Sequence, residues 1–290
     1  MTDQYAVIGN PIAHSKSPEI HTMFAEQFKG KPAGNMVYKD RILAPLDGFA
    51  AEVKRLRKEG YKGCNVTVPF KFEAFKIASN YGLEVMDAVE SGHEADAVNT
   101  LLFKDNKIGG YNTDGTGLVN DIEKNLKIPL KGKRILLIGA GGAAAGVLHP
   151  LLEASQSPLV IYNRTLGKAE SLKKTITQYE KFRHFSIKPV EFGELGSEQF
   201  DIVINATSAW LTDSELPLPP TIFAPGALAY DMMYGKETPF MAFARKHGEH
   251  LGVQVRDGLG MLVEQAAESF YIWRGVRPDT APVIAALRQP

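Results

Sequence analysis

Apolar residues in this chain fall into two kinds of run. Short unbroken runs read as buried strands, and runs recurring every three or four positions read as helices. Residues 5–8 are the first strand, ended by Gly9-Asn10-Pro11. A loop carrying His14-Ser15-Lys16-Ser17-Pro18 leads into a helix with Ile20, Phe24 and Phe28 on one face. Residues 46–58 predict a second helix with Leu46, Phe49, Val53 and Leu56 aligned. Residues 63–68 predict a strand stopped by Pro69, and residues 98–103 another. Residues 114–126 predict a helix that is apolar at Leu118, Val119, Ile122 and Leu126, with Thr113 or Asp114 as its N-cap and Pro129 as its end.

Beyond that point strands and helices alternate. Residues 134–138 form a strand, 139–142 a turn, 143–152 a helix and 159–162 a second strand. Residues 200–205 and 227–232 supply later strands. Such alternation predicts a parallel sheet with helices on both faces. The Pro-rich, polar stretch 212–226 reads as a long surface loop, and residues 261–273 as a last helix with Leu262, Ala266, Phe270 and Trp273 in register.

Composition narrows the function classes. The 290 residues correspond to about two domains. Lys plus Arg and Asp plus Glu each count 33, so no net positive charge points to nucleic acid. A single cysteine, Cys64, excludes an internal disulfide and a cysteine-based zinc site. No metal is expected, and a reducing compartment suits the chain. The first nine residues lack a signal-peptide pattern, and no apolar run reaches the roughly 18 residues of a membrane helix. A cytoplasmic protein, away from membranes, is the expectation.

Gly139-Ala140-Gly141-Gly142-Ala143-Ala144 fits G-x-G-x-x-A between a strand and a helix, the setting a dinucleotide turn requires. Its glycines permit a tight turn, and the helix N-terminus offers free N–H groups to a pyrophosphate. An NAD site places an acid about 20 residues further on, to bind the ribose 2′-hydroxyl. Here the second strand ends in Asn163-Arg164-Thr165, and the nearest downstream acid is Glu170. Arg164, with Lys168 nearby, suits a 2′-phosphate, so NADP is expected over NAD.

Three polar clusters remain. In the strand before Pro69, Asn65 and Thr67 share one face while Cys64, Val66 and Val68 share the other. That suits either a cleft wall or a half-exposed edge strand. Asp114, within Gly110-Tyr-Asn-Thr-Asp-Gly115, is either a helix cap or a functional carboxylate. Ser15 and Ser17 either hold a substrate carboxylate or cap the following helix.

Taken in order, these clusters resemble the shikimate dehydrogenase family. The similar segments are Gly9–Pro18, Asn65–Lys71, Ala97–Thr100, Asn112–Gly115, the Gly139 turn, Asn163–Thr165, Asn205–Ser208, Tyr230–Tyr234 and Asp257–Gln265, and they span nearly the whole chain. The resemblance implies an α/β protein of two domains separated by a deep cleft. Residues 1–113 plus 258–290 would form an N-terminal α/β substrate domain, and residues 114–257 a Rossmann-like nucleotide-binding domain. It implies reversible NADPH-dependent reduction of 3-dehydroshikimate to shikimate, by a monomer or a homodimer. Lys71 and Asp114 would be catalytic, and Ser15, Ser17, Asn65, Thr67, Asn99, Tyr234 and Gln265 would contact substrate. Gly139, Ala140, Gly141, Gly142, Ala143, Asn163, Arg164, Thr165, Lys168, Met232 and Gly258 would contact NADP.

Two departures bear on this. Ala144-Ala145 stand where the family often carries an Arg, which leaves 2′-phosphate selectivity to Arg164 and Lys168. Ala209-Trp210 stand where a Gly often follows the Asn-Ala-Thr-Ser run. A dual quinate/shikimate dehydrogenase, a non-catalytic NADP-binding regulator and a folate-pathway dehydrogenase of similar plan are the alternatives.

Overall fold

The computed structural model describes residues 2–80, 97–105, 107–207 and 215–289. Ser208, Ala209 and Trp210 therefore lie outside the described residues. The chain divides into two compact units, Met1–Gly117 with Leu262–Pro290, and Leu118–Met261. Each junction lies four residues past the expected one (117 against 113, 261 against 257) and falls within a helix.

The first unit holds the strands β1 (Asp3–Gly9), β2 (Met36–Leu43), β3 (Gly63–Val66), β4 (Thr100–Lys104) and β5 (Lys107–Tyr111) in the order β2-β1-β3-β4-β5. β1 runs parallel to both β2 and β3, while β4 and β5 return antiparallel. The helices here are α1 (Ser17–Gln27), α2 (Phe49–Lys58), α3 (Lys71–Asn80) and α4 (Asp114–Asn120). Successive residues on a strand face opposite sides. Ala6, Ile8, Cys64 and Val66 accordingly pack with Phe49, Val53 and Leu56 of α2, while Tyr5 and Val7 pack with Ile20 and Phe24 of α1.

Four expectations change here. Leu46 is exposed and outside α2, because Gly48 N–H donates to the Pro45 carbonyl (3.0 Å) and makes residues 45–48 a turn. β3 stops at Val66, so Val68 is exposed rather than part of the apolar face. β3 also lies between β1 and β4, which removes the edge-strand alternative. The helix expected over 114–126 is α-helical to Asn120 and continues as a wider π turn, Asp121–Asn125.

The second unit contains β6 (Ile135–Ile138), α5 (Gly142–Ser155), β7 (Leu159–Asn163), α6 (Leu166–Thr177), β8 (Ile187–Glu191), β9 (Phe200–Asn205), β10 (Phe223–Asp231), α7 (Pro239–Gly248) and β11 (Gln254–Arg256). Its strands are all parallel, in the order β11-β10-β9-β6-β7-β8. The chain builds outward from β6 through β8, then restarts on the other side of β6 with β9. This Rossmann-like order leaves a crevice at the carboxyl ends of β6 and β9. Ile135 and Leu137 pack with Val147, Leu148 and Leu151 of α5, and Leu136 and Ile138 with Phe240 and Ala244 of α7. Burial on both faces explains why these strands read as unbroken apolar runs. The expected surface loop 212–226 ends earlier, since β10 begins at Phe223 and buries it together with Ile222.

The chain then completes the first unit with α8 (Leu259–Arg274) and α9 (Ala281–Arg288). Val263, Ala266, Phe270 and Trp273 of α8 join Tyr5, Val7 and Phe24 in one apolar cluster. No described helix is long and apolar enough to cross a membrane.

Candidate active site

In the first unit the registers Val7↔Asn65, Asn65↔Thr100 and Thr100↔Tyr111 set four strands level at one end of the sheet. The chain leaves or enters that end at the Ser15–Ser17 loop after β1, at Thr67 to Lys71 after β3, at Asn99 before β4 and at Asn112 to Asp114 after β5. Parallel and antiparallel pairing thus gathers residues that are far apart in sequence.

Lys71 Nζ donates to Asp114 Oδ2 at 2.5 Å, with side chains 20% and 11% exposed. Asn99 Nδ2 donates to the other carboxylate oxygen at 2.8 Å, and the Thr113 N–H donates to Asn99 Oδ1 at 3.0 Å. The Asp114 N–H is taken by Asn112 Oδ1 at 3.1 Å. Asn112 therefore caps the turn that Asp114 was expected to cap, and the Asp114 carboxylate is held toward Lys71. A half-buried ion pair braced this way keeps both charges oriented.

Gln265, half-buried on α8, brings its Oε1 to 3.2 Å from Thr113 Oγ1 and 3.4 Å from Asn99 Nδ2. Asn65 is 6% exposed and meets Tyr38, His21, Thr100 and Ser269. Ser15 Oγ donates to Ser17 Oγ at 3.2 Å, and Arg41 Nε fastens the loop by donating to the Ser15 carbonyl at 2.8 Å. Thr67 is half-buried beside Gly9. The structure thus brings Ser15, Ser17, Asn65, Thr67, Lys71, Asn99, Asp114 and Gln265 to one unit, whereas Tyr234 belongs to the other.

In the second unit every expected nucleotide contact follows the carboxyl end of a strand or begins the next helix. Gly139 adopts φ +110°, and a Cβ there would lie 3.2 Å from both the Ala206 carbonyl oxygen and Thr207 Cγ2. Only glycine gives this turn without strain. Gly141 is exposed, with open space where a side chain would be, and no side chain caps α5. An open, uncapped helix N-terminus fits an anionic phosphate. Asn163 Nδ2 donates to the Thr165 carbonyl at 2.9 Å, shaping the turn that exposes Arg164, Thr165 and Lys168. Among the described residues neither Arg164 nor Lys168 has an ion-pair partner, so both cations are available to a second anion.

The walls of this crevice are tied together by Asp231. Its Oδ2 accepts from Asn205 Nδ2 (3.0 Å) and Thr238 Oγ1 (2.5 Å), and its Oδ1 from the Met233 N–H (2.9 Å). Burial raises its carboxyl above the ordinary range while these bonds oppose the shift. Asn205 Oδ1 in turn holds Thr207 beside Gly139. Met232 and Gly258 are brought together, since a Cβ on Gly258 would lie 2.3 Å from the Met232 carbonyl oxygen. Only a missing side chain permits that approach.

Sequence reasoning gave no site role to His21, Tyr38, Thr100, Asn112, Thr113, Ser269 or Asp231. Thr100, Asn112, Thr113 and Asp231 lie inside quoted motifs. Ser269 sits one helical turn after Gln265, and His21 one turn after Ser17, a weak signal that they share a face.

Comparison with known proteins agrees along the whole chain. Residues 7–101 match the shikimate dehydrogenase substrate binding domain, 121–212 the shikimate / quinate 5-dehydrogenase family and 258–288 the shikimate 5′-dehydrogenase C-terminal domain. The shikimate dehydrogenase (NADP(+)) of Methylobacillus flagellatus is 54% identical over 286 residues, 99% of each chain. That of Dechloromonas aromatica is 51% identical over 289 residues, covering 99% of this chain and 98% of that one. The crystal structure of shikimate 5-dehydrogenase from Thermus thermophilus in complex with NADP(H) and shikimate superposes with a TM-score of 0.79 at 29% identity, covering 99% of each chain.

Proposed function

The chain belongs to the shikimate dehydrogenase family, and from that premise we propose that it interconverts 3-dehydroshikimate and shikimate with NADPH and NADP. The observation that carries this reading is the Lys71–Asp114 pair at 2.5 Å, braced by Asn99 and placed at the end of the sheet where Ser15, Ser17, Asn65, Thr67 and Gln265 also gather.

When bound, NADPH supplies the hydride. Lys71 donates a proton to the carbonyl oxygen being reduced and removes it in the oxidative direction, the work of a positioned general acid–base. Asp114 Oδ2 aims the ammonium, and Asn99 with the Thr113 N–H aims Asp114. Side chains fixed by these bonds stabilise developing charge with little reorganisation at the moment of reaction. Ser15 and Ser17 hold the substrate carboxylate, while Asn65, Thr67, Asn99 and Gln265 take its hydroxyls and Tyr234 adds a substrate contact of its own. NADP lies on Gly139, Ala140, Gly141, Gly142 and Ala143, with its 2′-phosphate on Arg164 and Lys168. Asn163, Thr165, Met232 and Gly258 complete that site. We place the enzyme in the cytoplasm, which its lone, buried Cys64 suits.

The test is turnover of shikimate and of quinate by purified protein, each with NADP and with NAD, followed by reduced-cofactor absorbance. Turnover chiefly of shikimate with NADP is expected. Comparable turnover of quinate moves the protein to the dual-specificity alternative, and no turnover by folded protein that binds NADPH overturns the catalytic reading.

A further inference from the structure

Asn65 is the one polar side chain contributed by β3, and its two amide atoms face different chemistry. On one side stand the Asn99 carbonyl oxygen at 3.4 Å and the hydroxyls of Ser269 (3.1 Å) and Thr100 (3.2 Å). A carbonyl only accepts, so the amide atom on that side is the nitrogen. On the other side stand the Tyr38 hydroxyl at 2.8 Å and His21 Nε2 at 3.1 Å. Both can donate, and together they occupy the two lone pairs of Oδ1.

The elements enforce this. α1 presents His21 one turn after Ser17, and β2 presents Tyr38, 5% exposed. The two rings stack flush, with centroids 4.5 Å apart and planes 3° from parallel. Phe24, Phe270 and Trp273 enclose the imidazole. Burial among these rings pulls its pKa down to about 3, so it is neutral. With the proton on Nε2 its other nitrogen needs only to accept, and that atom has no partner among the described residues.

Oδ1 is therefore saturated. Nδ2 lies 3.1 Å from Ser269 Oγ and 3.2 Å from Thr100 Oγ1, and its contact with the Asn99 carbonyl is long at 3.4 Å, so donor capacity remains only on this side of the amide. We propose that Tyr38 and His21 are positioning residues that hold the Asn65 oxygen inward, so that Asn65 meets the substrate as a hydrogen-bond donor only. A substrate hydroxyl at this point must accept, which makes the orientation a specificity device. The inference rests on the reading that Asn65 binds shikimate.

The test is a double-mutant cycle of Tyr38→Phe and Asn65→Ala, read as KM and kcat for shikimate oxidation, KM for NADP, and Tm. Tyr38→Phe keeps the stacked ring and loses one hydroxyl. It should raise the shikimate KM by about fivefold, the scale of one neutral hydrogen bond, with kcat and the NADP KM unchanged. In the Asn65→Ala background the same substitution should change the shikimate KM no further. An effect of Tyr38→Phe that persists in that background, or none in the wild-type background, overturns the proposal. If Asn65→Ala leaves the shikimate KM unchanged, the underlying assignment of Asn65 fails instead. His21→Gln, which also donates from its side chain, serves as the second variant and should leave the shikimate KM closer to wild type than His21→Phe does. Equal effects of the two overturn the role given to His21.

Discussion

Lys71 and Asp114 meet across 43 positions of sequence, and that distance decides what could be read beforehand. Spacing arguments see neighbours on one strand or helix, so Asp114 at the start of a helix read more readily as a cap than as a functional carboxylate. The hydrogen bonds separate the roles, because Asn112 supplies the local cap and leaves the carboxylate to Lys71. Asn65 follows the same rule. Its face opposite Cys64 and Val66 was legible from alternation, but its partners come from α1, β2, β4 and α8, and no local pattern announces them. The chemistry at this scale makes a sharp prediction. Lys71→Ala should lower kcat by about 100-fold or more while the NADP KM, a property of the other unit, stays near wild type. A kcat close to wild type with only the shikimate KM raised would make Lys71 a binding group.

Elements were legible where the signal is local. The strand–turn–helix over β6 and α5 could be read directly, because both partners of the contact are adjacent in sequence and buried on both faces. β10 was hidden at its start. Pro225 and Gly226 resemble loop residues, yet they sit where the pairing with β9 shifts register between Phe223 and Leu228, and an irregularity of this kind tolerates proline. The end of β7 is where we propose that the choice of cofactor is made. Arg164 is exposed there on a turn shaped by Asn163, without an acidic partner among the described residues. Arg164→Asp should raise the NADPH KM by about tenfold or more, the scale of a hydrogen bond to a charged group, and leave the NADH KM little changed. Steady-state kinetics with both cofactors would read this, and an unaltered preference would remove the 2′-phosphate from this turn.

On the scale of the whole molecule, the two units have separate sheets and separate apolar cores. The two-domain plan was legible because its motifs are distributed along the chain, whereas both junctions fall inside α4 and α8, where continuous helical periodicity gives no boundary signal. Separate units should give separate footprints in hydrogen exchange. NADP alone should slow amides at 139–143, 163–168 and 205–207, and shikimate alone those at 15–17, 65–71 and 112–114. An NADP footprint confined to the second group would overturn the assignment of the sites. The order of the chain also has a consequence during synthesis. The second unit is one continuous stretch, so it has all its strands once residue 261 has left the ribosome, and domains in general fold as units as they emerge. The first unit must wait for Gln265 and Ser269, although Lys71 was made nearly two hundred residues earlier. A chain cut short by a premature stop after the nucleotide unit would thus keep its cofactor site and lack the bonds to Asn65 and Asn99, leaving a nucleotide binder that cannot complete its substrate site.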